Sequence, residues 1–278
     1  MLTDDLKSLP LLSPTLPEQR RIAEILSTVD EKIQQTDEII VKRNEVRTGL
    51  MQDLLFRGIE HETYQTKQVG PKQFEIPQDW TLSNIGSVTN RLRNGIAEKQ
   101  NHDGIGIPVT RIETISEGFV DTDKIGWMDI DEESHRKFKL QRGDIMFSHK
   151  NSLEHLGKSA QFQSDERLYH GENLLLLRPD EGVVFPRFAY FFLNTETIRS
   201  ICRSFAKKSV SQVSLNQKEV SGLPMPIPPM DEQKKIARIL DTVEEGIREE
   251  MKYKQHLQEL KRGLMQDLLT GKVRVKTN

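Results

Sequence analysis

The chain predicts an α+β fold: a mixed, mainly β central domain flanked by two long helices. Three observations predict it. First, residues 18–30 (EQRRIAEILSTVD) recur almost unchanged as residues 232–244 (EQKKIARILDTVE), and the same offset of 214 residues carries residues 49–55 (GLMQDLL) letter for letter onto residues 263–269. Second, both copies space their apolar residues by threes and fours, the period of a helix packed along one face. Third, the stretch between the copies drops that period for short apolar runs bounded by Gly, Asn and Asp, the texture of strands and turns.

The elements follow in order. Residues 1–17 also have a counterpart, since Leu9, Pro10 and Pro14 match Leu223, Pro224 and Pro228. They read as the remnant tail of a preceding domain. The first helix, expected over 18–58, carries Ile22, Leu26, Val29, Ile33, Ile40, Leu50 and Leu54. The second, over 229–272, carries Ile236, Leu240, Val243, Ile247, Leu257, Leu264 and Leu268. We expect Ile22, Leu26, Val29 and Ile33 to pack in a coiled coil with Ile236, Leu240, Val243 and Ile247. Thr36, Arg43, Glu250 and Lys254 weaken the two stripes. Gly58 and Gly271 sit where the helices should stop, as glycine does past a helix end. Residues 59–69 are polar and unpatterned and read as a linker. The central domain then runs over 70–228, with strands expected at 105–112, 144–148 and 174–177. One helical interlude is expected at 187–204, after Pro186. A proline-rich strip at 223–229 suits neither a helix interior nor a central strand. Residues 273–278 form a tail.

Composition narrows the function. Hydrophobic residues make up 35% and charged residues 29%, a polar balance that long solvated helices explain. Cys202 is the only cysteine, so no intramolecular disulfide forms, and with neither a signal pattern nor an apolar run of about 18 residues the chain reads as a cytoplasmic protein. There is no GxxxxGK[ST] or GxGxxG phosphate loop and no Cys/His set for zinc, so neither a metal nor a cofactor is expected. The histidines are scattered. Catalysis by this chain alone has no constellation to stand on.

The net charge of −2 hides an uneven distribution. Residues 113–133 hold eight acids against Lys124, whereas the rest of 70–222 holds 19 Lys/Arg and 13 Asp/Glu. A basic face on a near-neutral domain is what phosphate neutralisation needs. Three polar clusters could make contacts with DNA. Arg91, Arg93, Asn94, Lys99, Gln100 and Asn101 surround Gly95. His149, Lys150 and Asn151 follow an apolar strand and should project from its end. Lys207, Lys208, Ser211 and Gln212 follow the helical interlude. Arg, Lys, Asn and Gln pair with base edges in the major groove, while Lys and Ser reach phosphates.

Taken together, the paired proline-to-EQ helix starts, the two GLMQDLL helix ends, the opening IPQDW, the GDIMFS strand and SVSQVSLNQKEVSGLPMPIP resemble the DNA-specificity (S) subunit of type I restriction–modification systems. The resemblance covers nearly the whole chain. It implies that 70–228 is a target-recognition domain, that the helices pack as an antiparallel coiled coil, and that the chain reads double-stranded DNA without catalysis of its own. It further implies partners: methyltransferase (M) subunits docked on the helices, and restriction (R) subunits joining through the complex. S-adenosylmethionine, ATP and Mg would belong to those partners. Such subunits usually hold two recognition domains, and this chain has one, so a homodimer reading a palindromic bipartite site is expected. A coiled-coil assembly adaptor, or an inactive truncated subunit, is the alternative.

Overall fold

A computed structural model describes residues 14–69, 72–116, 118–205 and 213–276. Residues Thr48–Asp241 form one compact unit, and the helical segments before and after it form another. Helix α1 spans Leu16–Arg57 and ends at Gly58, whose φ of +70° is the left-handed conformation glycine adopts at no steric cost.

Along the compact unit run β1 (Tyr64–Val69), β2 (Lys72–Pro77), β3 (Thr81–Asn84), β4 (Thr89–Asn94), β5 (Ile107–Thr110), β6 (Ile125–Met128), the short helix α2 (Glu132–His135), β7 (Ile145–Phe147), β8 (Lys150–Asn151), β9 (Ser159–Gln161) and β10 (Leu175–Pro179). Helices α3 (Pro186–Leu193) and α4 (Glu196–Phe205), strand β11 (Val213–Ser214), helix α5 (Gln217–Ser221) and strand β12 (Pro224–Ile227) lead into α6 (Met230–Leu269).

The centre is a four-stranded antiparallel sheet ordered β4-β10-β7-β9. Successive side chains of a strand point to opposite faces, and here both faces are covered. Ile145, Phe147, Leu175 and Leu177 join the larger core cluster, while Met146, Leu174 and Leu176 join a second. That is why these strands read as unbroken apolar runs rather than as alternation. Helix α3 is buried all round, so its sequence PRFAYFFL shows no polar face. The larger cluster also takes Leu55 and Phe56 from the end of α1 and Ile236 and Leu240 from the start of α6.

Ile236 and Leu240 were expected in the coiled coil; instead they fill the core of the central unit, because the first turns of α6 continue directly out of β12. The stretch 59–69, expected to be a linker, contains β1, which pairs with β2 from Tyr64↔Pro77 to Val69↔Lys72. Tyr64, Thr66, Lys67 and Gln68 of β1 are exposed, and the buried Phe74 and Ile76 of the ribbon come from β2, so β1 itself carries no apolar signal. The helical interlude is two helices, broken at Asn194, whose amide donates to Ser159 Oγ at 2.8 Å and to Tyr190 O at 3.0 Å. The proline strip forms β12, paired only with β3, so neither Pro224 nor Pro226 interrupts a central ladder.

The repeated Glu-Gln pair anchors the central unit. Glu232 accepts from the backbone N–H of Ile59 at 2.9 Å and the indole of Trp80 at 3.1 Å, and lies 2.8 Å from His61 Nε2. Gln233, almost fully buried, accepts from Phe185 N at 2.7 Å and donates to Val183 O and Pro228 O. Its repeat image, Gln19, makes the equivalent bond to Pro14 O at 2.9 Å.

In the helical unit α1 and α6 run antiparallel. As residue numbers fall along α1 they rise along α6, through the pairs Arg47–Glu244, Arg43–Glu250, Asp37–Lys254 and Asp30–Lys261. By the repeat offset the Asp30–Lys261 pair is the image of Glu244–Arg47, so the coil carries an internal two-fold relation. Ile22, Val29 and Ile247 are buried, and Leu26, Ile33 and Val243 are half-buried. The weak points of the apolar stripe have partners. Arg43 meets Glu250, Lys254 meets Asp37, and Thr36, 3% exposed, donates its hydroxyl to Lys32 O at 2.8 Å. Thr36 is therefore part of the seam rather than a gap in it.

Candidate nucleic-acid interface

Strand β4 organises the site. Its residue Asn94 lies opposite Leu175, which in turn lies opposite Phe147, so the end of β4 and the residues following β7 come together. Gly95 then makes a turn that no other residue could occupy, since a Cβ there would stand 2.0 Å from the His170 carbonyl oxygen.

The Asn94 amide nitrogen donates to Glu172 O at 3.0 Å and lies 3.3 Å from His149 Nε2, and its oxygen accepts from Gln217 Nε2 at 2.9 Å. Three separate stretches thus meet in one polar row: Gln217 at the start of α5, Asn94 at the end of β4, and His149 beyond β7. The His149 backbone is fixed by Leu215, whose N–H donates to its carbonyl at 2.8 Å. Lys150 and Asn151, expected to project from a loop at the strand's end, form β8, paired with Ser214 and Val213. Lys150 is exposed, and Asn151 donates to Ser148 Oγ at 3.1 Å.

Burial, first, and then the neighbouring charge of Lys150 push the His149 pKa down to about 4. His170, fully buried, is pushed down to about 4 by burial as well. Both rings are therefore neutral at physiological pH, and each neutral imidazole has a donor and an acceptor nitrogen.

The other expected residues divide. Arg91 donates to the Lys137 carbonyl, and the Arg93 guanidinium stacks 4.5 Å above the Phe138 ring. Lys99 is exposed. Gln100 packs against Gly126 and Gly171, and Asn101 spends its amide inside its own loop on Ile105 O and Asp103 N. Lys207, Lys208, Ser211 and Gln212 lie outside the described residues, immediately before β11. The acidic run serves local structure where it is described: Asp131 caps α2 by accepting from Ser134 N at 2.9 Å, and Glu132 accepts from the Tyr169 hydroxyl at 2.6 Å.

Sequence reasoning missed Gln217 and a group of cations around Arg91. Arg91, Arg136, Lys137, Lys139 and Arg178 line a cleft of 640 Å³. The run HRKFKL at 135–140, with Arg136, Lys137 and Lys139 interleaved with Phe138 and Leu140, was its available signal. Arg178 is 87 residues from Arg91 in sequence and had none. Among the described residues, no group of His, Cys, Asp or Glu could hold a metal ion, and no helix is long and apolar enough to cross a membrane.

Residues 77–261 match the family described as the type I restriction modification DNA specificity domain. The chain is 39% identical over 219 residues to the putative type I restriction enzyme MjaX specificity subunit of Methanocaldococcus jannaschii, covering 78% of this chain and 51% of that one. It is 26% identical over 240 residues to the type I restriction enzyme EcoKI specificity subunit of Escherichia coli, covering 84% and 50%. It therefore spans about half the length of these curated relatives. Its fold is similar to the crystal structure of the type I restriction-modification system S subunit from M. genitalium, with a TM-score of 0.59, 15% identity, and 96% and 65% of the two chains covered. The HsdS subunit from Thermoanaerobacter tengcongensis gives a TM-score of 0.53 at 17% identity, with 94% and 60% covered.

Proposed function

The chain belongs to the type I restriction modification DNA specificity domain family, and from that premise we propose that it is the DNA-reading, non-catalytic subunit of a cytoplasmic type I restriction–modification complex. Its central domain reads one half of a bipartite site in double-stranded DNA. Its helices carry the M subunits, R subunits join through the complex, and S-adenosylmethionine, ATP and Mg belong to those partners. Two copies associate as a homodimer, and two-fold symmetry makes the target palindromic.

The observation that supports DNA reading is the polar row Gln217–Asn94–His149 beside exposed Lys150. Asn and Gln amides match adenine edges and Lys matches guanine, while buried His149 lies against the Asn94 amide and positions it. The row's members hold each other in place, so little side-chain entropy remains to be lost on binding. Selection from random duplexes by the purified chain tests this. Recovery of one sequence by wild type, with preference lost in Asn94→Ala and Lys150→Ala, is expected. Recovery of no sequence by wild type would favour the assembly adaptor. Size-exclusion chromatography with light scattering tests the homodimer, and a monomer at high concentration would remove it.

A further inference from the structure

We infer that the cleft lined by Arg91, Arg136, Lys137, Lys139 and Arg178 seats the sugar–phosphate backbone of the duplex, as a grip distinct from the polar row that faces the bases. The inference rests on the DNA reading proposed above and adds residues and a division of labour to it.

The cleft is lined by five cations and no carboxylate. Two of the five are already matched. Arg178 is bound by both oxygens of buried Asp144 at 2.7 Å, and Arg136 lies 3.6 Å from Glu133 at the surface. For Arg91, Lys137 and Lys139 no ion pair is found among the described residues. Arg91 instead donates to a carbonyl, and Lys137 lies 5.4 Å above the Phe138 ring. The fold therefore holds five cations together with, among the described residues, only Asp144 and Glu133 paired to them, and an entering anion would relieve the remaining Coulomb cost. Burial, and then the guanidinium groups of Arg178 and Arg93, lower the Arg91 pKa, as expected of a cation crowded by cations.

The geometry suits a polyanion over a single anion. Arg91 and Asn94 lie on the same strand, three residues apart. At about 3.3 Å per residue this is roughly 10 Å, close to three base steps of duplex at about 3.4 Å each. Three residues apart, the two side chains leave opposite faces of β4, but β4 is the edge strand of the sheet, so a duplex lying along that edge can place a phosphate in the cleft and base edges against the row. The Arg91 fork is oriented by its bond to the Lys137 carbonyl, while the two lysines supply movable point charges. That combination grips a backbone in any sequence.

The test uses the full chain, a duplex of the sequence it selects, and a scrambled duplex of equal length, titrated from low to high salt. The double variant Lys137→Gln/Lys139→Gln is compared with wild type and with Asn94→Ala. Each lost phosphate contact should lower the slope of log affinity against log salt by about 0.9. The lysine variant is therefore expected to lose nearly two in slope, to weaken on both duplexes equally, and to keep its sequence preference. Asn94→Ala should keep the slope and lose the preference. Both lysines protrude from the surface, and an unchanged thermal melt will confirm that the variant folds. A wild-type slope in the lysine variant overturns the cleft while leaving the DNA reading intact. So does a changed preference, which would place the lysines on bases. Failure of the wild-type chain to prefer any duplex overturns both.

Discussion

Acid should unfold the central unit through its two buried imidazoles. His149 and His170 are held neutral with pKa values of about 4, against 6.5 for an exposed ring. Between those values the unfolded chain takes up protons that the folded chain refuses. The contribution is therefore intact above pH 6.5 and is lost as the pH falls toward 4. At pH 5 the penalty is about 2 kcal/mol for each ring, from a shift of about 2.5 units at about 1.4 kcal/mol per unit, only part of which is expressed at that pH. Two rings would remove a large share of a typical stability of about 5–15 kcal/mol. Urea unfolding at pH 7.5 and pH 5 measures this, and His170→Phe isolates one ring while keeping an aromatic of similar shape. The variant should lose about 2 kcal/mol less than wild type between the two pH values. With an m-value of about 2 kcal/mol per molar, that is about 1 M of urea midpoint. An identical pH loss in His170→Phe and wild type would refute the reasoning, because the proton uptake would then lie elsewhere.

Other outcomes follow from the repeat and its anchors. Leu55 and Leu269 occupy the same repeat position, but the first is 0% exposed and the second 51%. Leu55→Ala should cost about 2–5 kcal/mol by cavity formation, and Leu269→Ala well under 1, measured by denaturant midpoints. Gln233→Ala leaves the Phe185 N–H without its acceptor in a buried place, and should cost about 1–3 kcal/mol or more, read as a fall in melting temperature. Gly95→Ala drives a methyl into the His170 carbonyl, so the variant should lose folded yield in a circular-dichroism melt. Ile25→Pro in α1 should abolish co-purification with M subunits while the melt of the central unit persists.

The candidate site was legible only in part. Arg91, Arg93, Asn94, His149 and Lys150 were recognisable as polar residues beside glycine or after an apolar strand. That Asn94 touches His149 follows from the strand order β4-β10-β7, which no local pattern encodes. Gln217 carried no signal of its own, because its partner Asn94 is 123 positions away.

What the sequence determined by itself is the part that depends on short-range periodicity and duplication. The 214-residue repeat, the two long helices, the glycine stops and the apolar strands of the central sheet all follow from residues within a turn or a strand of one another. Tertiary structure decided where identical letters go. Ile236 and Leu240 fill the core of the central unit while their images Ile22 and Leu26 line the helical seam, and Leu55 is buried while Leu269 meets solvent. The reason is that burial is set by what packs against a side chain, and an amphipathic face does not specify its partner. Charge behaved in the same way: a chain of net charge −2 assembles five cations into one cleft only when β4, the 136–139 segment and β10 are brought together.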